Sequence, residues 1–512
     1  MSPEEPPSPL GDMPIEDFRR YGHKVVDWIA DYLSHPERYP VLSQNQPGDV
    51  RNSLPSKAPE QGEAMEAILA DLDRVIVPGV THWNHPGFFA YFATSGSAPG
   101  ILGEMLSAVF NVNAMLWRTS PSATELEEVT IEWLRQALGI SPEFSGVIYD
   151  TASISSLCAI AAAREAVDEL NVRDEGLGTS NTRLRLYCSE HAHSSIDKSV
   201  ITLGIGHQGV RKIQADSEFR MIPQLLAKAI EEDRAAGWRP FCVVATVGTT
   251  SSTSIDPVKE IADICEREEL WLHVDAAYSG AAAVVPEMKW ILDGSERADS
   301  IVMNPHKWLF VPVDLSVLFC KRMDVLRQAF SLVPEYLRTS DADEVQNFMD
   351  YGPQLGRRFR AIKLWFVMRY FGVEGLASRI REHIAMAREF AEWVDLSPDF
   401  ELLAPVPFSV VCFRAYPHQY KEAAAKSLAE NPKVPHWSRD AEFVENNLEF
   451  LNEHLMNEVN RRGKVYLSHT KLKGIFTLRL AIGNIRTTRE HVKLAWDELN
   501  AVLNEGKIEN RE

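Results

Sequence analysis

The sequence predicts an α/β fold built around a mainly parallel sheet. Between residues 146 and 320, short apolar runs alternate with segments of helical spacing, which is the pattern of strand–helix–strand units. The runs are apolar along most of their length, as is typical of strands buried on both faces. We expect strands at 146–151, 184–190, 241–248, 270–275, 300–304 and 315–320. Polar residues close several of these runs, so a site is expected at the carboxyl edge of the sheet.

The N-terminal part, residues 1–97, is predicted to be helical. A first helix is indicated by apolar residues at helical spacing, namely Phe18, Tyr21, Val25, Ile29 and Tyr32. A second helix is expected at 62–75, after a proline-rich connector. Because two amphipathic helices cannot bury their apolar faces alone, we expect this part to pack on another surface.

Two further parts follow. Residues 98–370 hold the predicted sheet, and residues 371–512 are expected to form a smaller α+β domain. The smaller domain should start with a long helix at 376–394. Its short strands are expected at 409–414 and 475–481.

Composition and charge exclude several classes of protein. With 45% apolar and 24% charged residues the chain reads as globular, and no run reaches the about 18 apolar residues of a membrane span. The net charge of −19 argues against nucleic acid or an anionic membrane as a partner. The first 13 residues lack the basic and apolar stretches of a secretory signal, so a cytoplasmic location is expected.

The six cysteines have no paired spacing that would indicate a disulfide framework or a metal site. They are Cys158, Cys188, Cys242, Cys265, Cys320 and Cys412. Several lie in apolar runs, so we expect buried free thiols in a reducing compartment, and no metal.

Lys307 is the first candidate functional residue. It lies between two apolar runs, where a charged amine is costly and therefore easily deprotonated. A neutral lysine amine attacks carbonyl groups. Taken alone, such a lysine is more often a surface residue at a strand end.

Asp275 is the second candidate, because it closes the apolar run that starts at Leu270. Taken alone it could cap the next helix. Together, a carboxylate and a nucleophilic lysine at neighbouring strand ends suit pyridoxal phosphate. This cofactor needs an acid at its pyridine nitrogen and a lysine at its aldehyde.

Two hydroxyl-rich segments fit the phosphate of that cofactor. Residues 246–254 follow one predicted strand, and residues 146–156 run from another strand into an alanine-rich helix. Small and hydroxyl residues at a helix N-terminus leave N–H groups free for a phosphate, although they can also be plain helix caps. Neither a Walker loop nor a GxGxxG motif is present.

In these motifs the chain resembles the pyridoxal-phosphate-dependent group II decarboxylases, specifically the aromatic L-amino-acid decarboxylases. The resemblance runs from about Phe18 to about Val492. Its motifs lie at 81–92, 120–127, 191–195, 273–278, 304–308 and 356–360. It implies a fold-type-I pyridoxal enzyme and an obligate homodimer. It also implies conversion of an aromatic L-amino acid to its arylalkylamine and CO2.

The resemblance assigns the cofactor site residue by residue. Lys307 matches the lysine that bonds to the cofactor, Asp275 the acid at the ring nitrogen, and His193 the histidine stacked on the ring. Other cofactor contacts are matched by Ala152, Ser153, Thr250, Ala277, Asn304 and His306. His193 could otherwise be a core histidine.

The resemblance also assigns the substrate pocket. Its expected residues are Trp83, Phe92, Thr94, Met115 and Gly356. Tyr336 matches a tyrosine on a mobile loop, where a phenol could return a proton to the substrate Cα once water is excluded. Taken singly, the aromatic residues could be core side chains and Tyr336 an ordinary loop residue.

Some positions depart from the family pattern. Asp150 stands where a small residue is common, and a carboxylate near a phosphate is unfavourable unless it is paired or turned away. Met115 replaces a common phenylalanine and makes the expected pocket more adaptable. Residues 416–440 resemble an insertion. These departures leave the preferred aromatic substrate open.

Three other functions are weighed. Decarboxylation of glutamate or histidine is disfavoured, because the apolar pocket lacks an obvious cationic anchor for a side-chain carboxylate. An aromatic aldehyde synthase couples decarboxylation to oxidative deamination. The aldehyde synthases of this family typically carry phenylalanine at the position of Tyr336, so the tyrosine here argues against that function. An inactive scaffold would need none of Lys307, Asp275 and His193, all of which are present.

Overall fold

A central sheet organises the described chain, which in this computed structural model comprises residues 10–167, 170–179, 181–332, 344–418, 420–422 and 439–509. The strands of this sheet are β1 Ser145–Tyr149, β2 Arg183–Ser189, β3 Val210–Ile213, β4 Trp238–Thr246, β5 Trp271–Asp275, β6 Ser300–Met303 and β7 Ser316–Cys320. Their order across the sheet is β1-β7-β6-β5-β4-β2-β3.

The predicted mainly parallel sheet is confirmed. Among the described strands of this sheet, β7 alone runs against its neighbours, and the other six share one direction. The six expected strands are all present. The sequence does not predict β3, because Val210–Ile213 is a short edge strand with Arg211 and Lys212 at its centre.

Helices cover the sheet and extend beyond it. The longer ones are α1 Ile15–Ser34, α2 Ala98–Phe110, α3 Pro121–Leu138, α4 Ala152–Glu165, α5 Ser195–Thr202, α6 Pro223–Ala235, α7 Val258–Glu268, α8 Met323–Phe330, α9 Ala361–Leu396, α10 Arg439–Arg461 and α11 Arg489–Glu509. Short helices lie at Asp49–Ser53, Met65–Asp71, Val77–Gly79, Val172–Glu175 and Pro305–Trp308. The helix expected at 62–75 begins later, at Met65, and continues past Asp71 through a π-helical stretch, Leu72–Ile76, to Gly79.

The sheet is buried on both faces. Successive side chains of β4 pack into two different hydrophobic cores. Val243 and Ala245 pack on one face of the sheet, and Cys242 and Val244 pack on the other. Burying a valine contributes about 1.5–3 kcal/mol. The apolar strand runs in the sequence are the direct result of this double burial.

A second, antiparallel sheet lies in the C-terminal part. It consists of β8 Phe400–Leu402, β9 Val410–Ala415, β10 Ser468–Leu472 and β11 Ile475–Ala481, in the order β10-β11-β9-β8. The long helix expected at 376–394 is the second half of α9. That helix starts at Ala361 and kinks at Gly372, where the φ angle of 65° leaves the helical region.

Because the parallel strands run in the same direction, the loops that follow them begin at the same edge of the sheet. The carboxyl ends of β1, β2, β4, β5 and β6 all lie at the same edge of the central sheet. Ligands of open α/β sheets bind at this edge. Across the described ranges, no helix is long and apolar enough to cross a membrane.

Candidate active site

Lys307 lies on the short helix Pro305–Trp308, directly after β6. Pro305 lacks an N–H and cannot extend the strand ladder, but it suits the first position of a helix. Asn304 precedes it, and the Asn304 carbonyl accepts the Lys307 backbone N–H at 3.0 Å. This turn presents the lysine at the carboxyl edge, on a helix and not on a strand end.

The surroundings of Lys307 favour its neutral amine. Burial lowers the pKa of Lys307, and the negative charge of Asp275 opposes this shift. The Nζ atom lies 5.3 Å from the centre of the Phe92 ring. A less basic amine is available as a nucleophile at neutral pH, which supports the role predicted for Lys307.

Asp275 is the last residue of β5 and is buried, with 6% of its surface exposed. Its Oδ1 atom accepts the Ala277 backbone N–H at 3.1 Å. The Asp275 backbone carbonyl accepts the Val247 N–H at 2.8 Å, which ties β5 to the loop after β4. A buried carboxylate needs a positive partner, and Lys307 is the nearby lysine that its charge affects.

His193 follows β2 and precedes α5. Its Nδ1 atom accepts the Ser195 backbone N–H at 3.2 Å and lies 2.9 Å from the Ser195 Oγ. Burial lowers the pKa of His193, and Asp275 opposes the shift while Lys307 adds to it. The neutral imidazole therefore carries its proton on Nε2.

Three buried polar atoms lie near the same edge without a partner in the described chain. They are the Thr246 Oγ1, the Ser279 Oγ and the Asn304 Oδ1. Gly248, with a φ angle of 92°, lies against Ser279, and any Cβ there would collide with the Ser279 side chain. Buried polar atoms are normally satisfied, so this edge fits a polar ligand such as a phosphorylated pyridine.

The N-terminus of α4 offers a place for the phosphate. Within the described ranges, no acceptor is recorded for the backbone N–H groups of Ala152 and Ser153. Asp150 does not contradict this arrangement. Its Oδ1 accepts the Thr151 N–H at 2.5 Å and the Thr151 hydroxyl at 3.0 Å, and its Oδ2 accepts the Gln354 amide at 3.2 Å. The departure seen in the sequence is therefore a paired carboxylate.

A stack of aromatic rings backs Lys307. The rings of Phe92 and Tyr278 are 3.9 Å apart, and those of Tyr278 and Trp308 are 4.7 Å apart and nearly parallel. The Trp308 indole N–H donates to His383 Nδ1 at 3.0 Å. Because Trp308 follows Lys307 directly, the stack fixes the lysine segment against α9. The sequence indicates Trp308 and Tyr278 within its motifs, but not their partner His383.

Other predicted residues are less closely tied to Lys307. Met115 and Gly356 both lie against Asn113, whose Nδ2 is 3.3 Å from the Met115 Sδ and 3.9 Å from where a Cβ on Gly356 would be. The next residue, Arg357, forms a buried ion pair with Glu127 at 2.6 Å. The Arg357 N–H donates to the Asn113 side chain at 2.9 Å. In the described part of this single chain, no hydrogen bond or ring contact joins Met115 or Gly356 to Lys307.

The remaining predicted residues have varied surroundings. Trp83 is partly exposed and stacks on Phe88, and Thr94 is half-buried. Ala277 is buried, and Thr250 is exposed at the tip of the loop after β4. His306 is buried, and its Nδ1 accepts the Leu315 N–H, so its ring is used within the protein.

Tyr336 lies outside the described residues. So does most of the segment 416–440. The described residues contain no group of three or more His, Cys, Asp or Glu that could hold a metal.

A mainly parallel sheet with a partly buried lysine and a buried carboxylate at its carboxyl edge defines an enzyme of the fold-type-I pyridoxal-phosphate class. Residues 47–416 match the family model for the pyridoxal-dependent decarboxylase conserved domain. The chain belongs to this family, and its cofactor is pyridoxal phosphate.

Named relatives agree with this assignment. The chain is 40% identical to tyrosine decarboxylase 3 of Petroselinum crispum over 97% of its own length and 94% of the relative. It is also 40% identical to phenylacetaldehyde synthase of Arabidopsis thaliana, over 95% and 96% of the two chains. The solved Catharanthus roseus tryptophan decarboxylase in complex with L-tryptophan matches with a TM-score of 0.85 and 38% identity, over 97% and 99%.

Proposed function

We propose that this protein removes the carboxylate of an aromatic L-amino acid, giving the arylalkylamine and CO2. The observation that carries the proposal is the Lys307 amine, which lies beside Asp275 and 5.3 Å from the Phe92 ring. The reaction type follows from the family. The substrate class is supported by relatives that are named for tyrosine and tryptophan.

The chain's own residues have separate tasks in this reaction. Bound pyridoxal phosphate supplies an aldehyde for an amine and a ring that accepts electrons from a breaking bond. Lys307 would hold the aldehyde, and Asp275 would keep the ring nitrogen protonated. The free N–H groups of Ala152 and Ser153, with the Asn304 side chain, would bind the phosphate.

Aromatic side chains shield the Lys307 amine from water on the side of Phe92. Phe92 and Tyr278 stack beside it, and Trp308 closes the layer beneath. An ionised carboxylate loses solvation in such surroundings, which favours the more dispersed charge of the state in which the bond breaks. The same apolar wall suits an aromatic side chain of the substrate.

A panel of L-amino acids tests the proposal. Amine, CO2 and hydrogen peroxide should be measured together for tyrosine, tryptophan, phenylalanine, dihydroxyphenylalanine, glutamate and histidine. We expect equal amounts of amine and CO2 from at least one aromatic substrate, without peroxide. Release of CO2 from glutamate or histidine alone would contradict the substrate class.

Aldehyde synthesis is the second candidate, because an aldehyde synthase is as similar to the chain as the decarboxylases are. Tyr336 favours simple decarboxylation, by the resemblance described above. In the variant Tyr336→Phe we expect less amine and more aldehyde, ammonia and peroxide. A positioned proton donor contributes about 10²–10⁴-fold, so a slow oxidation by O2 can compete once the donor is removed.

The ratio of amine to aldehyde decides this prediction. If Tyr336 only packs against the site, both products fall together and the ratio stays at the wild-type value. That outcome would remove Tyr336 from the reaction. Peroxide released by the wild-type protein would instead favour the aldehyde synthase.

We also propose that the protein is an obligate homodimer. Helix α2 packs closely on α9, where a Cβ on Gly103 would lie 2.8 Å from the Lys363 Cα. Its other side exposes large apolar side chains, namely Leu102, Met105, Leu106, Val109 and Phe110. Helix α1 exposes Ile15, Phe18 and Val26. An apolar surface of this kind is typical of a protein interface, and a second copy would cover it.

The variant Val109→Glu tests the dimer, because Val109 is 68% exposed on α2. We expect wild-type protein to sediment as a dimer at nanomolar concentration and Val109→Glu to sediment as a monomer with little activity. The matched control is Leu396→Glu at the end of α9, which is 84% exposed and should remain dimeric. Full activity of a wild-type monomer would contradict the proposal.

A cytoplasmic location and the domain limits complete the proposal. All six cysteines are buried free thiols, which suits a reducing compartment. We place the domain limits at residues 97 and 370. The kink of α9 at Gly372, between the two sheets in the chain, supports the second limit.

A further inference from the structure

Arg479 is a buried cation without an acidic partner. It lies in β11, in the run Ile475–Ala481, and 4% of its surface is exposed. No Asp or Glu of the described chain forms an ion pair with it. Burial lowers the pKa of Arg479, and the groups that oppose this shift are Cys412 and Tyr278, which are not carboxylates. A charge buried in this way is costly, so its retention needs a reason.

The guanidinium group instead binds neutral acceptors from two elements. Its Nη2 donates to the Thr250 carbonyl at 2.8 Å, and its Nε donates to the Ser251 carbonyl at 2.9 Å. Its Nη1 donates to the Ser468 Oγ at 3.2 Å. Ser468 in turn accepts the Tyr91 backbone N–H at 3.2 Å.

These contacts converge on the candidate active site. Thr250 is the exposed tip of the loop after β4, where a cofactor contact is predicted. Tyr91 directly precedes Phe92, and the Arg479 Cζ lies 5.5 Å from the centre of the Phe92 ring. The same ring lies 5.3 Å from the Lys307 Nζ. Arg479 thus holds both the Thr250 loop and the segment that carries Phe92.

We propose that Arg479 is a positioning residue, which fixes the Thr250 loop and the Phe92 ring around bound pyridoxal phosphate and the substrate. It acts through Thr250 and Phe92 and does not take part in bond breaking. The proposal rests on the function proposed above. It links the small antiparallel sheet to the edge of the central sheet.

The shape of the side chain explains why an arginine is needed. A guanidinium offers several N–H groups in a rigid plane, so it can bind two successive carbonyls and a hydroxyl at once. It also lies favourably near an aromatic ring. A lysine would keep the charge, but its single nitrogen cannot reproduce these contacts.

Two variants test the proposal, Arg479→Met and Arg479→Lys. The first keeps the approximate length and removes all N–H donors, and the second keeps the charge and removes the planar fork. The matched control is Arg461→Met on α10, where Arg461 is 71% exposed and paired with Glu458. Each protein is loaded with pyridoxal phosphate and compared with wild type.

The first readout needs no substrate. A bound chromophore shows visible circular dichroism only when it is held in a fixed, asymmetric site. We expect Arg479→Met to lose most of this signal and to bind pyridoxal phosphate more weakly, with Arg479→Lys between it and wild type. The far-ultraviolet spectrum of the cofactor-free protein should be unchanged, and the control should match wild type throughout.

The second readout is the split between kcat and KM. We expect kcat to fall roughly 10²-fold in Arg479→Met, because a displacement of about 1 Å at a site costs that much, while KM changes less. Wild-type visible circular dichroism and kcat in Arg479→Met would overturn the proposal. Loss of the far-ultraviolet spectrum in both variants would also overturn it, because Arg479 would then serve the fold alone.

The two proposals fail in different ways. If the wild-type protein binds the cofactor but decarboxylates no aromatic amino acid, the proposed function fails. The dichroism of the Arg479 variants still decides the positioning role in that case.

Discussion

Lys307→Ala is expected to abolish amine formation, with a fall of roughly 10³-fold or more in kcat/KM. The lysine presents its amine from a fixed helix at the sheet edge. Holding two reacting groups in the right orientation lowers the activation free energy by about 7–11 kcal/mol in well-oriented reactions. Alanine leaves no nucleophile for the cofactor aldehyde at this place. Residual turnover within tenfold of wild type would show that Lys307 has been assigned the wrong role.

A matched control for this variant is Lys363→Met. Lys363 is a second lysine in apolar surroundings, with 1% of its surface exposed, and burial lowers its pKa as it lowers that of Lys307. It differs because its Nζ is paired with Glu104 at 2.8 Å. We expect Lys363→Met to keep the visible absorption of a cofactor bonded to lysine, whereas Lys307→Ala loses it.

Asp275→Asn is expected to have the second largest effect. We expect activity to fall roughly 10²- to 10³-fold, which corresponds to about 2.7–4.1 kcal/mol of activation free energy. An amide cannot keep the ring nitrogen of the cofactor protonated. Stopped-flow and steady-state assays with an aromatic substrate would measure the loss.

Asp275→Asn should also change the pKa values of Lys307 and His193. The Asp275 carboxylate stabilises the protonated forms of Lys307 and His193 and so raises the pKa of both. Removing its charge should move both pKa values further down, and the His193 shift can be followed by NMR titration. An upward shift would contradict the arrangement.

Asp299→Asn is the control for Asp275→Asn. Asp299 precedes β6 at the opposite, amino edge of the sheet, where its Oδ2 accepts the Leu272 N–H at 2.8 Å. We expect this variant to lose stability without changing the visible spectrum of the bound cofactor. Equal spectral changes in both variants would show that the site is not confined to the carboxyl edge.

The sequence predicts the central sheet well because burial on both faces leaves continuous apolar runs. Strand β3 is not predicted from the sequence, because Arg211 and Lys212 lie on the exposed edge of the sheet. The long helix α9 is predicted only in part, since it kinks at Gly372, whose φ angle of 65° lies outside the helical region.

The candidate site is predicted where a residue closes a strand, as Asp275 does. Arg479 is missed, although its charge inside the apolar run Ile475–Ala481 is a signal that could have indicated it. His383 is missed because its partner Trp308 is 75 residues away in the chain. Such pairs depend on tertiary contacts that no local pattern records.

The most direct test that Lys307 holds pyridoxal phosphate is to reduce the native protein with borohydride and locate the modified residue by peptide mass spectrometry. Borohydride fixes the bond between pyridoxal phosphate and the amine that holds it. We expect a single phosphopyridoxyl group, on Lys307, and loss of amine formation in proportion to the label. A label on another lysine, or no label in protein that still decarboxylates an aromatic amino acid, would contradict the account.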